Sequence, residues 1–350
     1  MQLPPKQLEH ASIMTMTEVD KGSRAGRKLL WLAAGVVLVT SLYSGGWFLA
    51  ADQIEKRLPA YLAEKRKAGL GAECGDMEVR GFPFRIGLFC EKVRLDDARY
   101  GASASFGALR SAAQVYQPGR AVIELDGPAE IRVSPGVSIS ADWTLLHASL
   151  AATLTGVDRT SLAYDNLTGA VRSPLSAKGL NFGANHGELH LRQNGDDLDA
   201  ALSVDKLDLR PEDGQSLARP ADIAADFTLT GKADWLLGAS LSPHALRGTA
   251  GELRQLALDL GDGMSAKLSG PFSVNEQGLI SGEFSLTLMG IGAWRDSLSK
   301  AVPEETDLIN NVANMLTALA GGKDKATVKL NVRDGTAFLA FVPLGVLPAL

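Results

Sequence analysis

The chain has 350 residues, of which 45% are hydrophobic, which rules out a globally disordered protein. Lys and Arg total 35 against 40 Asp and Glu, a net charge of −5, so the basic footprint of a nucleic-acid-binding protein is absent. Two cysteines exclude a disulfide-dense scaffold and any multi-cysteine zinc module.

Residues 1–20 are polar, carry two prolines and lack periodicity, and residues 1–28 are predicted to form a short cytoplasmic tail. Leu29 to Ala51 follows, 23 residues with no Asp, Glu, Lys, Arg or His. At ~1.5 Å per residue a helix of this length spans a ~30 Å hydrocarbon core. Trp31, Tyr43 and Trp47 fall where an aromatic belt would sit. Lys21, Arg24, Arg27 and Lys28 precede the span, and positive residues stay inside. This predicts a single-pass inner-membrane protein with a cytoplasmic N-terminus and a periplasmic bulk. A cleaved signal peptide is the rival reading. Its apolar region is shorter, and Phe48 and Leu49 stand where a small residue is needed before a cut.

Residues 52–70 read as a membrane-proximal helix, with Ile54, Leu58, Tyr61 and Leu62 at helical spacing and Pro59 as a possible kink. From residue 71 to 350 the period changes to two. Leu198, Ala200, Leu202 and Val204 alternate with Asp199, Ala201, Ser203 and Asp205, and Phe284, Leu286 and Leu288 alternate with Ser285 and Thr287. One apolar and one polar face is the mark of antiparallel strands wet on one side. Asn194-Gly195-Asp196, Gly261-Asp262-Gly263 and Asp334-Gly335 supply turns, as do Ser134-Pro135-Gly136 and Asp213-Gly214. The fold class is therefore mainly β, within α+β: a long curved antiparallel meander with an N-terminal transmembrane helix and a C-terminal helical insertion. That insertion is predicted over Ile291–Lys300 and Pro303–Ala320, with Leu308, Val312, Met315, Leu316 and Leu319 as its apolar stripe. A short helix is predicted over Leu236–Leu246.

Cys74 and Cys90 flank Gly81-Phe82-Pro83 symmetrically. A hairpin turning there sets the two cysteines opposite each other, within disulfide reach. A Cys74–Cys90 bond is expected, consistent with export to an oxidising compartment.

Candidate chemistry is sparse. In HGELH, residues 186–190, a strand would place His186, Glu188 and His190 on one side, where they are the weak candidates for a metal site. An exposed polar strand face explains them as well, and the order of a zinc-peptidase motif is not met. Asp196, Asp197 and Asp199 read as a solvated turn. Arg80, Arg85 and Arg94 alternate with Phe82, Phe84, Ile86 and Leu88, which fits a strand with one polar side or an edge for an acidic partner or lipid headgroup. No nucleophile elbow, phosphate-binding loop or dinucleotide fingerprint occurs. No catalytic residue and no cofactor is assigned.

The basic-flanked anchor, the stretch Gly81-Phe82-Pro83-Phe84-Arg85 and the closing segment from Gly335 to Pro348 resemble a proteobacterial, membrane-anchored family, domain of unknown function 2125. More distantly the chain is similar to AsmA-like envelope proteins, which build long curved sheets with an apolar trough. The family implies no reaction. The reading is a non-enzymatic envelope protein that binds lipid or an apolar ligand. The alternative is a scaffolding subunit held to another envelope protein, and a metal-dependent hydrolase around His186, Glu188 and His190 stands third. No nucleic-acid partner is expected.

Overall fold

The computed structural model describes residues 22–133, 136–153, 156–174, 178–212, 214, 219–237, 244–339 and 342–350. The chain separates into two compact units, residues 1–50 and 51–350. The predicted turns at Ser134-Pro135 and Asp213 lie outside the described residues, as does most of the predicted helix over Leu236–Leu246. Ahead of that gap the chain forms a short 3-10 turn, Ala233–Leu237.

Helix α1 runs from Gly22 to Lys67. It is long and apolar enough to cross a membrane by length and composition. It continues through Pro59 without a break, so the proline does not restart it. In the second unit the last turns of α1 are tied to the first strands. Arg66 pairs with Glu73 at 2.6 Å, and the Val79 amide donates to Glu55 Oε1 at 3.0 Å.

The strands follow in chain order. The first five are β1 (Leu70–Gly75), β2 (Glu78–Arg80), β3 (Arg85–Cys90), β4 (Lys92–Asp97) and β5 (Ala102–Phe106). Next come β6 (Leu109–Gln114), β7 (Gln117–Leu125), β8 (Ala129–Val133), β9 (Val137–Asp142), β10 (Leu145–Thr153) and β11 (Gly156–Arg172). The long strands β12 (Leu180–Asn194), β13 (Asp197–Pro211), β14 (Ala221–Leu229), β15 (Thr249–Asp259), β16 (Ser265–Val274) and β17 (Ile280–Met289) lead to helices α2 (Ile291–Ala301) and α3 (Thr306–Leu319). Strands β18 (Lys325–Arg333), β19 (Thr336–Leu339) and β20 (Val342–Val346) complete the chain.

From β11 to β20 each strand pairs with the next, an antiparallel meander that stays open. The first ten strands do something the sequence did not announce. Each long strand there is interrupted near its middle, so the ladder reads as two arms, with the chain crossing between them at residues 91, 107–108, 126–128 and 143–144. One arm is ordered β1-β4-β5-β8-β9 and the other β2-β3-β6-β7-β10. Both arms end on the same edge of β11: β10 pairs with Gly156–Asp165 and β9 with Thr168–Arg172. Asn166 lies between the two segments with φ +52°. Asn tolerates this left-handed conformation because its short polar side chain bonds locally, and here its Nδ2 donates to Thr144 Oγ1 at 3.0 Å.

The register offsets the cysteines. Cys74 faces Val93, three positions beyond Cys90, so the two stand on opposite sides of one hairpin but not directly opposite each other. Asp76, with φ +45°, turns the chain out of β1 before β2 begins, and the β2–β3 hairpin starts only at Glu78. The cysteines are nonetheless bonded, with Cα atoms 5.1 Å apart. Glu78 faces Phe89 in the same register in which Gly75 faces Lys92, so β1–β2 and β3–β4 are the two sides of one hairpin, and the disulfide ties them across the seam between the arms.

The helices interrupt the β17–β18 hairpin. Gly290, at φ +76°, turns the chain from β17 into α2, and a Cβ there would stand 2.9 Å from the Gly263 carbonyl oxygen. Ile291, Ala313 and Leu316 pack with Ala326 of β18 and Leu339 of β19, so the helices cover one end of the sheet's apolar face. Ala313 joins the predicted stripe, while Leu319 is two-thirds exposed because α3 ends there at Gly321 and Gly322. Among the described residues no large side chain is fully buried. The elongated sheet has no thick central core, and the packing that exists is local.

The disulfide closes a loop across sixteen positions, so its removal is worth about 3 kcal/mol in the chain-entropy account. Urea unfolding of the full chain with Cys74→Ser and Cys90→Ser should show a loss of that order. An unchanged midpoint would mean this hairpin needs no covalent tie.

Candidate functional sites on the two faces of the sheet

On the polar face, strand alternation places His186, Glu188 and His190 together, as the spacing requires. The register then supplies partners invisible in the motif. Asp165 stands directly opposite His186, and Ser161 opposite His190. His186 Nδ1 lies 2.7 Å from Asp165 Oδ1, and its Nε2 is 3.2 Å from Glu188 Oε1. His190 Nδ1 lies 2.9 Å from Ser161 Oγ, and its Nε2 is 2.8 Å from Glu188 Oε2. All four ring nitrogens are engaged. The Asp165 carboxylate, and after it Glu188, favours the imidazolium and raises the His186 pKa. His190 and then His186 lower that of Glu188. The cluster is a hydrogen-bonded ladder of imidazoles and carboxylates. Among the described residues no group of three or more His, Cys, Asp or Glu is arranged to hold a metal ion.

Asp199 corrects the expected solvated turn. Asp197 does serve the turn, accepting from the Gly231 amide at 2.8 Å. Asp199 instead is only 7% exposed. Arg192 Nη2 reaches its Oδ2 at 2.6 Å, Thr228 Oγ1 donates to Oδ1 at 2.7 Å, and Arg254 Nη1 stands 3.4 Å from Oδ1. Arg254 also pairs with Asp226. Burial alone would raise the Asp199 pKa. The Arg192 and Thr228 hydrogen bonds and the Arg254 charge outweigh it and bring the value from 3.8 to about 2. Alternation marked Asp199 as outward-facing, but only the neighbouring strands show that long arginines close over it.

Of the three arginines at the first hairpins, Arg80 is paired with Glu78 and lies over the Phe89 ring. Arg94 stands 3.7 Å from Glu73. Arg85 follows the Gly81-Phe82-Pro83-Phe84 turn, where the Arg85 amide donates to the Gly81 carbonyl at 2.9 Å. Gly81 has φ +119°, and a Cβ there would meet the Arg85 carbonyl oxygen at 2.8 Å. The motif's first residue is therefore dictated by the turn.

The opposite face is apolar. Phe227 and Leu229 on β14, Leu253 on β15, Leu268 and Phe272 on β16, Phe284 on β17, Leu330 on β18 and Ala337 on β19 line one trough. Its volume is about 540 Å³, and every residue lining it is apolar. Trp235, Leu246, Leu347 and Leu350 complete its lining. Gly282 makes room in the floor: a Cβ there would stand 2.8 Å from Phe284 Cζ. The alternation of β17 and β18 was legible in the sequence. Phe227, Leu253 and Trp235 belong to no motif, and only strand order brings them to the same hollow.

These features define a class: a β-rich chain with an N-terminal apolar helix, whose open sheet is polar on one face and hollowed on the other. The chain belongs to the family described as an uncharacterized protein conserved in bacteria (DUF2125), whose model matches residues 47–348. No curated protein and no solved structure matches it. The likeness to AsmA-like proteins finds no support in these comparisons.

Asp199 has a folded pKa below its unfolded value, so its contribution is present above about pH 4 and is lost as pH falls toward 2. The shift corresponds to on the order of 2 kcal/mol. In urea titrations Asp199→Asn should lose about that much at pH 7 and flatten the dependence of stability on pH between 4 and 2. An unaltered slope would show that Asp199 is not the group responsible.

Proposed function

We propose that this protein is a non-enzymatic, membrane-anchored envelope protein that holds a lipid acyl chain in the apolar trough. The trough is the single observation that carries the reading. Its lining draws on six adjacent strands, and at ~4.8 Å per strand it runs about 24 Å across the sheet. One leaflet of a ~30 Å hydrocarbon core is about 15 Å deep, so an extended acyl chain fits within that length. The volume falls in the ~300–1,000 Å³ range of ligand sites. A site with no polar group to orient its occupant selects for length and hydrophobicity, not for a headgroup. The basic residues before Leu29 support an orientation in which the N-terminus stays in the cytoplasm and residues 51–350 lie in the periplasm.

The alternative, a scaffolding subunit, predicts a filled apolar face, whereas here helices α2 and α3 cover only one end of it. Ala337→Trp places an indole in the trough. Native mass spectrometry of the full-length chain released from detergent should show a stoichiometric lipid adduct, absent from Ala337→Trp at unchanged melting temperature. A wild-type chain without an adduct, or a variant that keeps it, would overturn the reading.

A further inference from the structure

The family motif at residues 81–85 has no role in the trough. It forms the tip of the β2–β3 hairpin. The Val115 amide donates to the Phe84 carbonyl at 3.1 Å, so this tip lies beside the β6–β7 turn at Val115-Tyr116. Three aromatic side chains are exposed there together: Phe82 at 45%, Phe84 at 67% and Tyr116 at 69%. Aromatic rings exposed on adjacent turn tips are suited to the boundary between water and lipid, where one end is apolar and the other wet.

Immediately behind these tips lies a hollow of about 520 Å³. Arg85, Arg120 and Arg159 line it, with Ala113, Ala121 and Ala151 among the small residues that leave it open. Arg120 and Arg159 are both register partners of Ala151, one on each side. Their Cα atoms are therefore about 10 Å apart on one face, with a methyl group between them. Neither side chain makes a hydrogen bond or ion pair among the described residues. The nearby carboxylate of Glu124 is taken by Arg110 at 3.2 Å. Two unpaired guanidinium groups facing each other across a small residue match the several oxygens of a phosphate group.

We infer that the two hairpin tips and the arginine hollow behind them form a docking site for an anionic phospholipid surface. Phe82, Phe84 and Tyr116 enter the headgroup region, and Arg120 and Arg159 bind the lipid phosphate. The occupant is a phospholipid because the anion-binding residues adjoin exposed rings, which a freely dissolved phosphate would leave in water. The site is separate from the acyl trough, which is built from β14 to β19, so the two readings fail independently.

The test is amide hydrogen exchange on the full-length chain in detergent micelles, with four additions: none, phosphatidylcholine, phosphatidylglycerol and inorganic phosphate. Phosphatidylglycerol should slow exchange over residues 81–86 and 114–121 by about tenfold, the equilibrium change that a charge-assisted hydrogen bond of ~1.5 kcal/mol gives. Arg120→Gln with Arg159→Gln should remove that difference. Phe84→Ser with Tyr116→Ser should weaken protection by either lipid. Ala337→Trp should leave it unchanged. Equal protection by phosphatidylcholine would overturn the role of the arginines. Protection by inorganic phosphate without further protection by phosphatidylglycerol would overturn the lipid surface in favour of a free-anion site.

Discussion

An antiparallel sheet with one apolar face must cover that face or expose it, and the arrangement of this chain follows from how it meets that constraint. Alternation with period two sends every second residue of β11 to β20 to the same side. Ten strands in meander order accumulate a wide apolar surface with no second sheet paired to it in sequence. Helices α2 and α3, inserted between two paired strands, cover one end through Ile291, Ala313 and Leu316. Leu198, Leu229 and Leu236 make a second local cluster farther along. Between them Phe272, Phe284 and Leu330 line a hollow that no described residue fills. Burying one such side chain is worth about 1.5–3 kcal/mol, so an occupant gains from several of them at once.

The first ten strands meet the edge problem in another way. They extend the same ladder as long strands interrupted near their middles, and the outermost hairpin is tied by Cys74 and Cys90. An outer strand offers unpaired backbone groups to any passing chain. The disulfide, with Glu91 donating its amide to the Gly75 carbonyl at 2.8 Å, holds the outermost strands β1 and β2 to β3 and β4.

What was legible in the sequence was local. Alternation in Phe284–Leu288, the left-handed pair Asp334-Gly335, Pro303 at a helix start and Gly321-Gly322 at its end are written in neighbouring residues, and each marks an element where it was expected. The charge-free run from Leu29 is equally local. Features set by register were not legible. The hairpin symmetry of Cys74 and Cys90 assumed a turn centred on Phe82, whereas the register, with Cys74 facing Val93 and Glu78 facing Phe89, centres it between Pro83 and Phe84. Asp165 opposite His186, and Arg254 closing over Asp199, join positions 21 and 55 residues apart. Sequence spacing holds no record of such pairs, because strand order brings them together. The trough is the extreme case, since its walls come from six strands and the last residues of the chain.

The claim on which the account turns is that lipid tails enter the hollow between β14 and β19. The full-length chain, reconstituted with a phospholipid bearing a photoactivatable group at the end of its acyl chain, can be irradiated and its adducts mapped by peptide mass spectrometry. The account predicts adducts within residues 227–284 and 330–337. Adducts confined to residues 29–51 would show that the tails meet only the membrane helix, and the sheet would then have no lipid to hold.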